Sequence, residues 1–416
     1  MKRIFIFEPE CVDSAGHALN SLRQYSIFLK KKKLKVYCIT NKLLNKKYFF
    51  KEARILNTIN FKEGCFKIVD LKNFSKNLFL FLFQIVNLFI LISSKNKLLN
   101  LIRVIRKIYF IPRYIPDVLK FFLDLEIKNR DIIFIPSGRP HILQTLAFLF
   151  LYDKNNFPII HFRIVHPIKF RKNKDNFFKY LDIFYNNGLV NKKIFFYSEN
   201  EKYKKTLERF HNLNTVIFNG LSYTNPIKSK NKINISFLGE SNIYKGFNKI
   251  PKFVELISKR KYFKKIQINI QILNIKRETS NASKYLNILS KKFKNIKILH
   301  GPLSNYQFEK ELKKCDIMPL LHSANRAKNF GSGFLYTCMG SEIIMIIPKN
   351  SLIWKKLIPF KSYLEAKNIH EYVIKTGLII NKLNYFKKLV KKTKTMYLEN
   401  INKNKLIQRI VENEYK

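Results

Sequence analysis

The sequence predicts an α/β protein built as two doubly wound domains. Three observations carry that expectation. Short apolar runs of strand length alternate with longer amphipathic stretches through residues 4–218. An interval rich in structure-breaking residues follows, with Gly220, Ser222, Asn225, Pro226 and Ser229 between residues 219 and 231. A second alternation of the same kind begins at residue 233. Strands that alternate with helices pair in parallel, because each crossover helix carries the chain back to the start of the next strand.

In chain order, residues 4–7 form a short apolar strand, too short for a signal-peptide core. The loop Asp13-Ser14-Ala15-Gly16-His17 leads into a helix that ends in Lys30-Lys31-Lys32-Lys33, cations where a helix C-terminus favours them. Residues 34–39 are the second strand. Strands at 131–135, 158–162, 193–197 and 215–218 follow, with helices over 141–151 and 199–210. In the second half, strands are expected at 233–238, 266–273, 296–299, 316–320 and 343–347, with a helix over 247–258. The expected domains are residues 1–225, 226–383 and a C-terminal helical segment, 384–416, crossing back to the first domain.

The 416 residues carry 79 Lys+Arg against 28 Asp+Glu, a net charge of +51. Such a balance favours anionic partners, phosphate or membrane. The abundance of Lys, Asn, Ile, Phe and Tyr also follows from AT-rich codons, so the charge alone assigns no partner. It is spread along the whole chain without a helix-turn-helix, zinc or RNA-recognition motif, so no specific nucleic-acid partner is expected. The five cysteines, Cys11, Cys38, Cys65, Cys315 and Cys338, form no Cys-x-x-Cys pair. They read as free thiols of a reducing, cytoplasmic compartment. No metal site and no cofactor are expected. Residues 78–92 are continuously apolar apart from Gln84 and Asn87, and are shorter than a membrane span. Residues 97–109 place Leu98, Leu101, Ile102, Ile105 and Ile108 opposite Arg103, Arg106 and Lys107. Together they predict peripheral attachment to an anionic membrane surface, on the inner face; an ordinary domain helix is the alternative.

Two stretches carry the chemistry. Phe237-Leu238-Gly239-Glu240-Ser241-Asn242-Ile243-Tyr244-Lys245-Gly246-Phe247 leaves a strand and opens a helix. Gly239 permits a tight exit, and Lys245 precedes a helix N-terminus, where backbone N–H groups favour a phosphate. Farther on, Gly301-Pro302-Leu303-Ser304 opens a helix with Ser304 as N-cap. Asn329-Phe330-Gly331-Ser332-Gly333 opens another after the strand at 316–320. Arg139 follows the strand at 131–135, and Arg163 and His166 follow the strand at 158–162, at carboxyl ends where substrates bind. His211 and His322 read as surface-loop residues.

The order of these features resembles the nucleotide-sugar glycosyltransferases of the GT-B fold, closest to glycosyltransferase family 4. The resemblance rests on Gly16-His17, on Leu238-Gly239 with Lys245-Gly246-Phe247, and on His300-Gly301-Pro302-Leu303-Ser304. Cys315-Asp316-Ile317-Met318-Pro319-Leu320 and Ser332-Gly333 complete it. It implies two Rossmann-like domains facing a central cleft and a metal-independent transfer with retained anomeric configuration, as in surface polysaccharide biosynthesis. The donor would be a nucleotide-diphosphate sugar, the acceptor a glycan or lipid-linked sugar. His17 and Lys245 would be the catalytic pair. Gly239, Ser241, Asn242, Lys245, Gly246, Leu303, Ser332 and Gly333 would hold the donor, while Gly16, Arg139, Arg163 and His166 would line the acceptor side. The carboxylate that holds the ribose in the family would fall near Tyr336, and Glu342, the nearest acid, would join the residues that hold the donor. The other readings are a non-catalytic relative that binds sugars or nucleotides as a scaffold and, less favoured, a basic nucleic-acid-binding protein.

Overall fold

The computed structural model describes residues 3–9, 11, 18–31, 34–45, 50–59, 65–67, 110–112, 115–164, 176–198, 204, 205, 208, 216, 217, 225–227, 232–273, 275–323, 327, 332–403 and 405–412. The chain divides into two compact units. The first comprises Met1–Val12, Ser26–Phe218 and Gln408–Lys416, and the second Asp13–Tyr25 and Asn219–Ile407.

The first unit is built on β1 (Arg3–Glu8), β2 (Lys35–Asn41) and β3 (Arg54–Ile59), and α1 (Ala18–Lys31) is divided, its residues through Tyr25 in the second unit and those from Ser26 in the first. A short antiparallel ribbon pairs β4 (Cys65–Lys67) with β5 (Phe110–Pro112). Then come α2 (Ile115–Asp124), β6 (Ile132–Gly138), α3 (Pro140–Tyr152), β7 (Ile159–Ile164), α4 (Asn176–Asn186), β8 (Ile194–Ser198) and β9 (Val216–Ile217). Seven strands form one parallel sheet in the order β3-β2-β1-β6-β7-β8-β9. Its strands are nearly continuous apolar runs because helices cover both faces of such a sheet. On one face Phe5, Ile133, Ile135, Ile160, Phe162 and Phe196 pack into a core with α3. Helix α3 starts with Pro140 at its first turn, where the missing N–H costs nothing, and is buried along most of its length.

The second unit runs through β10 (Ile233–Phe237), two 3-10 turns (Ile243–Lys245 and Phe247–Lys249), α5 (Ile250–Ser258), β11 (Ile266–Ile272), α6 (Ser280–Lys292), β12 (Ile296–His300) and α7 (Asn305–Lys314). It continues through β13 (Ile317–Pro319), α8 (Gly333–Gly340), β14 (Ile344–Pro348), α9 (Leu352–Leu357), β15 (Tyr363–Ala366), α10 (Ile369–Asn381) and α11 (Leu383–Asn402). Six parallel strands lie in the order β12-β11-β10-β13-β14-β15. Ile235, Ile268, Ile270, Ile317, Ile344 and Ile346 meet Phe253 and Ile257 of α5 and Val373 of α10 in a second core. The final helix, α12 (Lys405–Glu412), has its residues from Gln408 onward in the first unit.

Both sheets reverse direction beside their first strand, between β1 and β6 and between β10 and β13. That reversal leaves a crevice at the carboxyl ends of the strands, where open α/β sheets bind ligands. Strands β3 and β15 and the β4–β5 ribbon add to the elements expected from sequence. The apolar run at 78–92 and the basic stretch at 97–109 lie outside the described residues. Among those described, no helix is long and apolar enough to cross a membrane.

Candidate functional site

The chain leaves β10 through Gly239, whose φ of +101° is in the left-handed region that glycine tolerates. A Cβ there would also lie 2.8 Å from the Phe334 ring. The Gly239 N–H donates to the Gln271 side-chain oxygen at 2.8 Å, and the Gln271 amide donates to the Gly301 carbonyl at 3.1 Å. One side chain of β11 therefore braces the exits of β10 and β12. Asn242 caps the following turn by accepting from the Tyr244 N–H at 2.7 Å. Gly246 (φ +80°) closes it, and a Cβ at Gly246 would fall 2.1 Å from the Leu321 carbonyl oxygen. The Ser323 N–H donates to the Tyr244 carbonyl at 3.1 Å, and Lys249 Nζ reaches the Leu321 carbonyl at 3.4 Å. The loops after β10 and β13 are thus stitched together across the crevice.

Lys245 stands on this loop with Nζ 3.5 Å from a Glu240 carboxylate oxygen. Both line a recess of about 40 Å³ shared with Gly239, Gln271, His322 and Phe334. Ser332 and Gly333, at the start of α8, directly precede Phe334, with no side-chain cap at the helix start. Leu303 sits between Gly301 and Ser304, which caps α7 through reciprocal bonds with Gln307. Gly239, Asn242, Lys245, Gly246, Leu303, Ser332 and Gly333 all lie in loops or helix starts at the carboxyl ends of the strands.

Three expectations need correction. The Ser241 hydroxyl faces no crevice. The residue is fully buried, its hydroxyl accepting from the Leu273 N–H at 2.8 Å while its own N–H donates to the Leu273 carbonyl at 2.9 Å. Glu342 is carried away from Lys245 by α8, which runs from the carboxyl side of β13 to the amino end of β14. There it pairs with Lys394 of α11 at 3.1 Å, an ion pair at the amino ends of the strands, opposite the crevice. His322 is not a surface residue. It is 7% exposed, and its ring lies edge-on to the buried Trp354 of α9, with centroids 5.1 Å apart. Its signal was present only as a histidine following a strand.

In the first unit, Gly16, His17 and His166 lie outside the described residues. Arg139 occupies the N-cap position of α3. Arg163 is buried on β7, and its guanidinium donates to the Pro136 carbonyl at 3.0 Å. That bond braces the end of β6, beside Gly138, where a Cβ would strike the Phe162 ring. On the same face of β7 as Arg163, two residues earlier, His161 is fully buried and its Nδ1 lies 2.8 Å from the Tyr197 hydroxyl. Arg409 of α12 covers the Phe195 ring at 5.6 Å and bonds to Tyr197. Burial, reinforced by the Arg409 charge, drives the His161 pKa down to about 3, so the ring is neutral.

No protein-family model and no curated protein matches the sequence. Solved structures do match. A glycosyltransferase from Rickettsia africae ESF-5 superposes with a TM-score of 0.58 at 13% identity, covering 99% of each chain. Anabaena Alr3699/HepE, solved in complex with UDP, gives 0.55 at 9% identity over 99% of this chain and 100% of that one. An E. coli protein bound with UDP-2-fluoro glucose gives 0.52 at 11% identity over 96% of each.

The fold is GT-B.

It is shared over nearly the full length of these three proteins at identities that establish architecture alone. The chain also spans 56% of the length of TarM, with a TM-score of 0.47. In the GT-B fold described here, the second unit's crevice holds the loop of Gly239 to Gly246, with Lys245 beside Glu240 on it.

Proposed function

We propose that the chain is a glycosyltransferase that moves a sugar from a nucleotide-diphosphate donor to a glycan or lipid-linked acceptor. The observation that carries this reading is Lys245, held beside Glu240 on a loop that two glycines press against the β13 loop and Phe334. UDP and UDP-2-fluoro glucose in two proteins of the same fold make a uridine nucleotide the first donor to test. Departure of a diphosphate from the anomeric carbon leaves an oxocarbenium-like centre and builds negative charge on the leaving oxygens. Lys245 would take that charge in a recess walled by Phe334, where a cation is worth more than in open water. Glu240 would hold the ammonium in place until the diphosphate arrives. The reaction is proposed to retain configuration, to need no metal and to serve surface polysaccharide assembly. The location is proposed as cytoplasmic, with residues 78–109 resting on the inner membrane face. Flotation with anionic but not neutral liposomes would support that location, and flotation with neither would overturn it.

One observation favours a second reading. Helix α8 carries no carboxylate, and Glu342 is committed to Lys394 at the amino end of β14. A GT-B scaffold that binds a nucleotide sugar without turning it over has no need of a ribose-holding acid. Transfer and hydrolysis from UDP- and GDP-sugars, measured alongside thermal shift, separate the two. Binding with turnover supports the enzyme, binding without turnover supports the scaffold, and no binding of any nucleotide refutes both. Lys245→Ala should cut turnover by ~10²-fold or more and leave thermal stability nearly unchanged.

A further inference from the structure

Beside the recess at Lys245 lies a second, larger cavity of about 640 Å³, lined at the carboxyl ends of β14 and β15. The two share His322. The first has room for only a few water-sized groups. The second falls within the range that accommodates sugars and cofactors.

Its walls have a particular chemistry. Pro348, Ala366, Ile369 and the buried Tyr372 give an apolar floor, and the Tyr372 hydroxyl is already committed to the Leu320 carbonyl at 2.8 Å. Asn350 and Asn368 supply amides. The Asn368 oxygen accepts from the Glu371 N–H at 3.0 Å, which leaves its NH2 to donate. Lys249, Lys349 and Lys367 supply cations, and no Asp or Glu lines the cavity. Elsewhere in this unit lysines face carboxylates, as Lys355 faces Glu365, Lys387 faces Asp316 and Lys394 faces Glu342. Around this cavity the three ammonium groups have no such partner among the described residues. Lys249 is also fixed, its Nζ resting on the Leu321 carbonyl between the two cavities. An apolar floor, amide donors and ammonium groups that form no ion pair among the described residues are together what a sugar with its own negative charge requires, and the nearby Glu371 carboxylate is taken by the Lys367 N–H at 2.9 Å.

We propose that this cavity binds the anionic group of an acidic sugar, a carboxylate or phosphate ester carried by a substrate of the transferase. The proposal rests on the function proposed above, and its test separates the two. Free glucuronate, glucose 6-phosphate and glucose are titrated into the full chain at 150 mM salt by calorimetry, with UDP measured independently. At least one of the two acidic sugars should bind ten times more tightly than glucose, and which one does so distinguishes carboxylate from phosphate. The preference should disappear in Lys349→Gln/Lys367→Gln, while UDP affinity stays within twofold. Lys388→Gln/Lys391→Gln removes equal charge from the exposed side of α11 and should keep the preference. Equal binding of all three sugars overturns the proposal, as does loss of the preference in both double variants, which would assign it to bulk charge. An acidic-sugar preference without UDP binding leaves this site standing and refutes the uridine-nucleotide donor instead.

Discussion

The neutral histidine under α12 makes acid stability a direct probe of the first unit. In the fold, Arg409 donates to the Tyr197 oxygen and the Tyr197 hydroxyl donates to His161 Nδ1, a relay that needs that nitrogen unprotonated. Among the described residues, Tyr197 from β8 and Arg409 from α12 act on His161. Its pKa falls from an ordinary 6.5 to about 3 on folding. The unfolded chain therefore binds more protons between these values, and stability must fall as the pH drops through the interval. The slope approaches ~1.4 kcal/mol per pH unit, so the unit should lose roughly 2 kcal/mol between pH 7 and pH 5, and on the order of 5 kcal/mol by pH 3. His161→Asn keeps an acceptor near the Nδ1 position and abolishes the titration. Carboxylates affect both proteins alike and cancel in the difference. Hydrogen exchange of peptides from β7, β8 and α12, measured from pH 7 to pH 4.5 with correction for intrinsic rates, reads this unit. Fluorescence of Trp354, the single tryptophan, reads the other. Wild type should lose protection in the first unit faster than His161→Asn, with Trp354 indifferent to the substitution. Parallel pH dependences for the two proteins would refute the argument.

Gly246→Ala should cost several kcal/mol or displace the loop, because the new Cβ would fall 2.1 Å from a backbone oxygen that has little freedom to retreat; nucleotide binding and thermal melts check it, and unchanged values for both would show that the contact relaxes freely. Glu342→Gln should lower thermal stability modestly, by roughly 0.5–2 kcal/mol, without altering nucleotide affinity, because its partner Lys394 lies away from the Lys245 recess; a weakened nucleotide complex would return Glu342 to the donor site. Cys38 and Cys315, both fully buried and with pKa pushed up to about 12, should resist iodoacetamide at pH 8 until the protein unfolds, read by peptide mass; rapid native labelling would contradict their burial.

The parts of the fold legible in the sequence are those whose physics is local. Ile132 to Ile135 or Ile344 to Ile347 can only be a strand buried on both faces, and Gly239 and Gly246 announce turns by being glycines in a chain that has 12. Strand β15, Tyr-Leu-Glu-Ala at the sheet edge, is half-buried and of mixed polarity, so no period distinguishes it from loop. Ser241 looks like a phosphate ligand because it is a serine in a glycine-flanked loop, but its hydroxyl is drawn into the β11 backbone, a tertiary fact. Glu342 lies close to Ser332 in sequence, yet the eight residues of α8 carry it about 12 Å along the helix axis to the amino ends of the strands. His322 becomes an interior residue only through Trp354, which belongs to a later helix.

The position of α12 has a consequence in time. The first unit is assembled from three separate stretches of chain, and the residue that completes the Tyr197 relay is made after the whole second unit. At ribosomal speeds, Arg409 emerges on the order of ten to forty seconds after Tyr197. Through that interval the Phe195 ring and the Tyr197 hydroxyl lack their Arg409 contact. The second unit, contiguous from Asn219 to Ile407 apart from one borrowed stretch near α1, has most of its chain in hand before the first can close. The order of synthesis and the order of completion are therefore opposite: β8, made before any strand of the second unit, receives its Arg409 contact only after that unit has been made.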